Sequence, residues 1–211
     1  NGPIERIHVA PGATIRDCSL NTENGDIVLG KDSEIMEGSR IRGPFVLGPK
    51  SQIKMGSVVY GPTTIGASCK VGGEINNSVI HDYSNKAHDG FLGNSVISSW
   101  CNLGAMTTSS NLKNNYSDIK IWDEGKKNYS NSGSTFCGLL MGEHSKTAIN
   151  TAFNTGTVVG AFCNVFGNGT PEKHISSFTW GGVNNSVPHD LEKAIETAKK
   201  VMDRRGVELS K

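Results

Sequence analysis

Every sixth residue from position 29 to 71 is aliphatic: Leu29, Ile35, Ile41, Leu47, Ile53, Val59, Ile65 and Val71. In a chain that is only 36% hydrophobic, eight such residues in eight positions are a repeat and not a coincidence. Four places after each of the first seven stand Ser33, Ser39, Phe45, Ser51, Ser57, Thr63 and Cys69, small in all but one case. Glycine directly follows the aliphatic residue at Gly30, Gly48, Gly66 and Gly72. A second run, Met141, Thr147, Phe153, Val159 and Val165, carries Ser145, Thr151, Thr157 and Cys163 at the same offset.

A period of six matches neither the 3.6 of a helix nor plain strand alternation. It matches a short strand plus a corner, with one apolar side chain turned inward on each flat side and a small one where the walls approach. Three such sides close a triangular coil of about 18 residues, and coils stacked about 4.8 Å apart pair their strands in parallel along the axis. The expected fold is therefore an all-β solenoid. The pattern resembles the hexapeptide repeat of left-handed parallel β-helices, and that resemblance, not the period, supplies the hand, against the usual right-handed crossover. The 26 glycines suit such corners, and a charged fraction of 19% speaks against a long-helix protein or a charge-rich disordered chain.

The repeat is interrupted in three places. Val71 and Ile80 are nine apart and Leu92 and Ile97 five, with regular steps at Ile80, Lys86 and Leu92 between them, so both irregularities flank His88. A longer interruption over 109–136 contains IKIW, DEGK and KNY, which read as a hairpin projecting from the coils. Over 189–205 the sequence HDLEKAIETAKKVMDRR sets Leu191, Ile195, Ala198, Val201 and Met202 along one face, with Gly206 as a stop. One amphipathic helix is expected there, capping an open strand edge. The expected division is a β-helix over 1–187 with the hairpin loop near 109–136, then a helix and tail over 188–211.

Twenty-one Lys plus Arg against 20 Asp plus Glu leave a net charge of +1, so no global field points to nucleic acid or an acidic membrane. No run approaches the roughly 18 apolar residues of a membrane span, and the first residues lack the blocks of a signal peptide. Five widely scattered cysteines fit reduced thiols better than a disulfide framework, which favours the cytoplasm. Among the six histidines no pair shows the short spacing of a familiar zinc motif, and no metal is expected.

The segment VGGEINNSVIHDYSNKAHDGFLGNSVISSWCNLGAMTTSSNLKNNY resembles the acetyltransferase domain of the bifunctional N-acetylglucosamine-1-phosphate uridylyltransferase and glucosamine-1-phosphate acetyltransferase family. It is most similar to a branch of sugar nucleotidyltransferases in which NSVI, YSNKxHDGFLG, WCNLGA and SNLKNNY recur. The resemblance extends from about residue 29 to 182. It implies acyl transfer from acetyl-CoA or another acyl-CoA to an amino sugar or sugar phosphate, in a homotrimer whose acyl sites lie between neighbouring subunits. It also implies that His88 matches the catalytic base, Glu74 a glutamate near it, Asn102 a sugar-contacting asparagine, Asn111 one in the acceptor and coenzyme A region, and Ala105 an alanine whose backbone lies near the acyl group. Four positions depart from the family. Asn76 stands where it has a phosphate-binding Lys, Phe91 where it has a sugar-contacting Tyr, Leu112 where a Tyr follows the asparagine, and Met106 where Gly is usual, while Tyr60 falls near a phosphate-binding Arg.

The chemistry agrees with these residue types. An amine loses a proton as it attacks a thioester, and an imidazole accepts it near neutral pH. Backbone N–H groups at Gly104 and Ala105 suit the oxyanion. Each residue also has a plainer reading: His88 as a corner histidine of a decayed site, Glu74 as a solvated acid, Asn102 and Asn111 as turn or ladder residues, and Cys101 as a packed small residue instead of a reactive thiol. Lys113 or Lys120 in the interrupting loop is a candidate to replace the family's phosphate-binding cation, with a solvated loop lysine as the plainer reading. Two functions stay open: an acyl-CoA-dependent N-acyltransferase domain, and a non-catalytic, trimerising β-helix that regulates a sugar-1-phosphate nucleotidyltransferase. No L-x-A-G-x-G-T-R-like stretch occurs, so a pyrophosphorylase site is expected to lie outside this sequence.

Overall fold

A computed structural model describes residues 1–209. The chain winds into a left-handed parallel β-helix with three flat walls. The first wall has nine strands, from Ile7–Val9 to His174–Ile175, and the third has seven, from Ser19–Asn21 to Ala152–Phe153. The second wall is a sheet of five strands ending at Asn85–Lys86, carried on through bridges from Asn85 to Asn102 to Lys146 into a sheet of four.

The hexad explains the interior. Leu29, Leu47 and Ile65 stack in register on the first wall, Ile35, Ile53 and Val71 on the second, and Ile41 and Val59 on the third. All eight are at most 1% exposed. At about 1.5–3 kcal/mol for each fully buried aliphatic side chain, this column supplies the main driving force of the coil. The small residues face inward where the walls meet: Ser51 Oγ donates to Gly66 O at 2.6 Å and accepts from Cys69 N at 2.8 Å, so this buried hydroxyl ties one coil to the next.

The nine-residue gap between Val71 and Ile80 hides an inward residue the period did not reveal. Ile75 is fully buried and lies in register between Val59 and Leu92. The corner from the second to the third wall shrinks here to Gly72 and Gly73, whereas the corners below and above it hold four residues each, 54–57 and 87–90. Register is kept on both sides of the shortened corner, because Gly72 N donates to Lys86 O and Glu74 N to Gly90 O. Met55 and Gly56 on one side, and His88 and Asp89 on the other, therefore overhang a notch two residues deep. Lys86 takes an inward aliphatic position next to this notch and is 1% exposed.

Between 109 and 140 the coil is interrupted by an antiparallel hairpin, Lys120–Asp123 with Asn128–Asn131. Its Trp122 stacks on His174 at 4.0 Å, which folds the hairpin back over the first wall.

The edge between the first and second walls carries a feature the hexad analysis missed. Tyr83, Trp100, His144, Phe162 and Phe178 each follow an inward first-wall residue by three places, and each has φ between 56 and 64°. Their rings stack in one column, with centroids 4.1, 5.9, 4.7 and 5.0 Å apart. Burial in this column pulls the His144 imidazole down to about 4, so it is neutral at ordinary pH.

Helix α1 (Leu191–Asp203) runs along the aromatic column. His189 N donates to Phe178 O at its start, and past its end Arg205 donates to Ser68 O and Asn85 Oδ1. Thirteen residues at about 1.5 Å each span about 20 Å, which matches four coil steps of about 4.8 Å. Asp190 caps the helix by accepting from Lys193 N at 2.9 Å. The buried stripe is Ala194, Ala198 and Met202, not the larger apolar set expected from sequence, and Leu191 and Ile195 are 56% and 44% exposed. Small alanines let a helix backbone lie close to a flat edge, and the bulky residues one position over are turned outward.

Candidate functional site

His88 sits exposed on the overhanging corner between the second and third walls. Directly above it in the stack is the corner 104–107, where the Cβ that Gly90 lacks would fall 2.2 Å from Thr107 O. Ala105 thus lies one coil above His88, as the shared four-residue corner length requires. Of the two amides expected to face an oxyanion, that of Gly104 already donates to Thr147 Oγ1 at 2.9 Å. Ala105 N–H has no acceptor among the described residues and is the one amide of the pair free for a ligand.

Glu74 pairs with Phe91, and Asn76 with Gly93, across neighbouring strands of the third wall beside the notch. Glu74 and Asn76, two apart on one strand, both point outward and line a concavity of about 480 Å³ together with Arg42 and Tyr60. Arg42 lies over the Tyr60 ring at 5.9 Å. Arg42 therefore lines the concavity from two coils earlier on the same wall, with Tyr60 between it and Asn76. Lys113 and Lys120, the candidate substitutes, do not line this concavity: Lys113 Nζ donates to Asp118 O at 2.6 Å within its own loop, and Lys120 belongs to the hairpin. Arg42 is not legible from sequence, because only the stacking of two further coils, 34 residues later in the chain, brings it to the concavity that Asn76 lines.

Phe91 and Asn111 crowd the same strand. A Cβ on Gly93 would fall 2.5 Å from Phe91 Cζ and 2.6 Å from Asn111 Nδ2, so a side chain there would displace both. Asn111 Nδ2 donates to Asn94 Oδ1 at 2.7 Å, which ties the amide to its neighbouring coil.

Asn102 does not join this group. It faces out from the second wall, with Asn85 Nδ2 donating to its Oδ1 at 3.5 Å. There it lines a cleft of about 380 Å³ under the end of α1, with Lys70, Lys146, Arg204 and Arg205 among its neighbours. No carboxylate lines the cleft among the described residues, so its charge is positive. Cys101 beside it is packed inward: its Sγ lies 3.1 Å from Gly142 O, and burial pushes the thiol up to about 12, which leaves no thiolate at neutral pH. No helix is long and apolar enough to cross a membrane among the described residues.

No family model matches the chain. The bifunctional sugar-1-phosphate nucleotidylyltransferase/acetyltransferase of Sulfurisphaera tokodaii is 33% identical over 144 residues, covering 67% of this chain and 35% of that protein. The bifunctional protein GlmU of Methanocaldococcus jannaschii is 30% identical over 90 residues, covering 43% of this chain and 21% of that protein. The chain thus spans about a third or less of the length of these curated relatives. Among solved structures, the polySia-specific acetyltransferase NeuO aligns over 96% of this chain and 98% of its own, at 12% identity and a TM-score of 0.48. The S84T mutant of AntD, an N-acyltransferase from Bacillus cereus, in complex with dTDP and coenzyme A, aligns over 83% of this chain and 90% of its own, at 14% identity and a TM-score of 0.49.

Proposed function

We propose, taking as premise the chain's homology to the bifunctional sugar-1-phosphate nucleotidylyltransferase/acetyltransferases, that it transfers an acyl group from acyl-CoA to the amine of a phosphorylated amino sugar. The observation that supports this reading best is the notch at Gly72 and Gly73, which leaves an exposed imidazole overhanging the start of the strand that carries Glu74 and Asn76, with a free amide one coil above. The amine nitrogen attacks the thioester carbonyl while His88 accepts its proton. The oxyanion that forms accepts a hydrogen bond from Ala105 N–H. Collapse breaks the carbon–sulfur bond, and the imidazolium returns the proton to the departing thiolate. Glu74 holds the acceptor amine, Asn76, Phe91 and Asn111 bound the sugar, and the cation-lined cleft under α1, with Asn102, receives phosphates of the acyl carrier.

Arg42 takes the role of the phosphate-binding lysine absent at Asn76. Arg42→Ala raises KM for a phosphorylated acceptor about tenfold or more, since a hydrogen bond to a charged group contributes about 1.5–3 kcal/mol. It leaves the same sugar without phosphate unaffected, and an equal loss on both acceptors rejects the assignment.

The assembly is a homotrimer, because a single wall is too flat to bury a ligand and a neighbouring subunit supplies the missing side. Sedimentation at micromolar concentration yields three chain masses; a monomer that still binds ligand contradicts this arrangement. The deciding experiment is thiol release from acetyl-CoA with glucosamine 1-phosphate and related amino sugars. Asn76 and Phe91, standing where the family resemblance has Lys and Tyr, favour a second reading, a non-catalytic trimerising scaffold in the cytoplasm, and the absence of turnover with every amino sugar selects it.

A further inference from the structure

We propose that Lys86 is a positioning residue whose buried ammonium holds the backbone of the His88 corner in place. This rests on the acyl-transfer reading for its functional consequence, though not for its geometry.

Lys86 occupies the second-wall column in which Ile35, Ile53 and Val71 precede it. Every one of those residues is aliphatic and fully buried, and Lys86 is buried as deeply as they are. Taking an ammonium out of water is costly unless its donors are satisfied. An ammonium has three N–H donors, and Lys86 Nζ has three carbonyl acceptors: Gly72 O at 3.3 Å, Asp89 O at 3.0 Å and His88 O in closest contact. Burial pulls the amine down to about 8, with Asp89 opposing, so at neutral pH the charged, three-donor form still prevails.

The three acceptors define what the charge does. Gly72 is the floor of the notch, and His88 and Asp89 are the two residues that overhang it. One cation at the root of the overhang thus joins the base's own carbonyl to the floor beneath it. The coil on the other side of the notch serves as an internal control. Its corner, 54–57, also overhangs by two residues, yet the matching inward residue is Ile53. The corner 104–107 above is likewise followed from an aliphatic Leu103. An overhang as such does not need a buried lysine; among the described residues only the corner that presents His88 has one. A residue that breaks a local rule at a cost to the fold marks a place where something other than the fold is being specified.

Lys86→Met, which keeps the unbranched chain and restores an apolar column, tests this, with Lys86→Ile as the second variant. The expected result is a melting temperature no lower than wild type, a His88 ring resonance that broadens or doubles in histidine-labelled protein, and kcat down about tenfold or more with KM within twofold. An unchanged His88 resonance overturns the proposal. So does a melting temperature that falls in step with activity, or failure of both variants to fold, because Lys86 is then merely structural. If wild type shows no acyl transfer, the functional reading fails, while the resonance still decides whether Lys86 orders the corner.

Discussion

His88→Ala lowers kcat for acyl transfer by about 10²-fold or more, with the β-helix and its assembly intact, because general-base catalysis typically contributes 10²–10⁴-fold. The side chain is exposed and contributes nothing to the buried column, so its removal leaves no cavity. The loss falls on kcat and kcat/KM alike, since the proton moves only in the transition state. The measurement is thiol release at saturating acyl-CoA, with sedimentation as the control for assembly. Turnover unchanged from wild type removes His88 from the base role. The Ala105 amide and the acceptor pocket would then account for catalysis on their own.

Phe45→Ala destabilises the protein by about 3–5 kcal/mol, the range for deleting a buried phenyl ring. Phe45 is the exception among the small residues of the hexad, and it is 1% exposed, in register between Ile27 and Thr63 on the first wall. The repeat by itself recommends serine there, as at Ser33 and Ser51. The fold says otherwise: the ring fills the space its neighbours leave, and a serine would leave the same void with a hydroxyl in it. Phe45→Ser is therefore expected to be at least as damaging as Phe45→Ala, and Phe45→Leu the mildest of the three. Urea unfolding followed by circular dichroism reads the effect as a midpoint lowered by about 1 M or more, given a dependence of about 1–3 kcal/mol per M. A midpoint within about 0.3 M of wild type for Phe45→Ser shows that the hexad rule, and not the ring, governs this position.

The two variants mark the boundary between local and tertiary information in this molecule. A solenoid repeats its own environment, so the inward column from Leu29 to Val71, the small residues between the walls and the existence of the hairpin and terminal helix were all legible from spacing alone. So was the position of the irregular steps on either side of His88. Their meaning was not legible. A nine-residue gap looks like one long step, but stacking resolves it into a four-residue step to Ile75 and a five-residue step to Ile80, and only the register with the coils on both sides identifies which corner lost residues.

The candidate site divides along the same line. Glu74, Asn76, Phe91 and His88 are near one another in the chain, and the local sequence brings them to one corner and the wall beside it. Asn102 follows from the same motif, yet a single corner turns it onto another wall. Arg42 and the aromatic column of Tyr83, Trp100, His144, Phe162 and Phe178 gain their neighbours across coils, a spacing that deletions and the hairpin shift from 18 to 15, 17 and 44 residues. The helix shows the limit most plainly: amphipathicity forecast its presence, but a flat edge selected Ala194 and Ala198 over Leu191 and Ile195. The sequence by itself determined the period, hence the solenoid, because one inward residue per side is a local rule repeated. Only the tertiary structure decided which side chains share the notch, because stacking depends on the length of every coil in between.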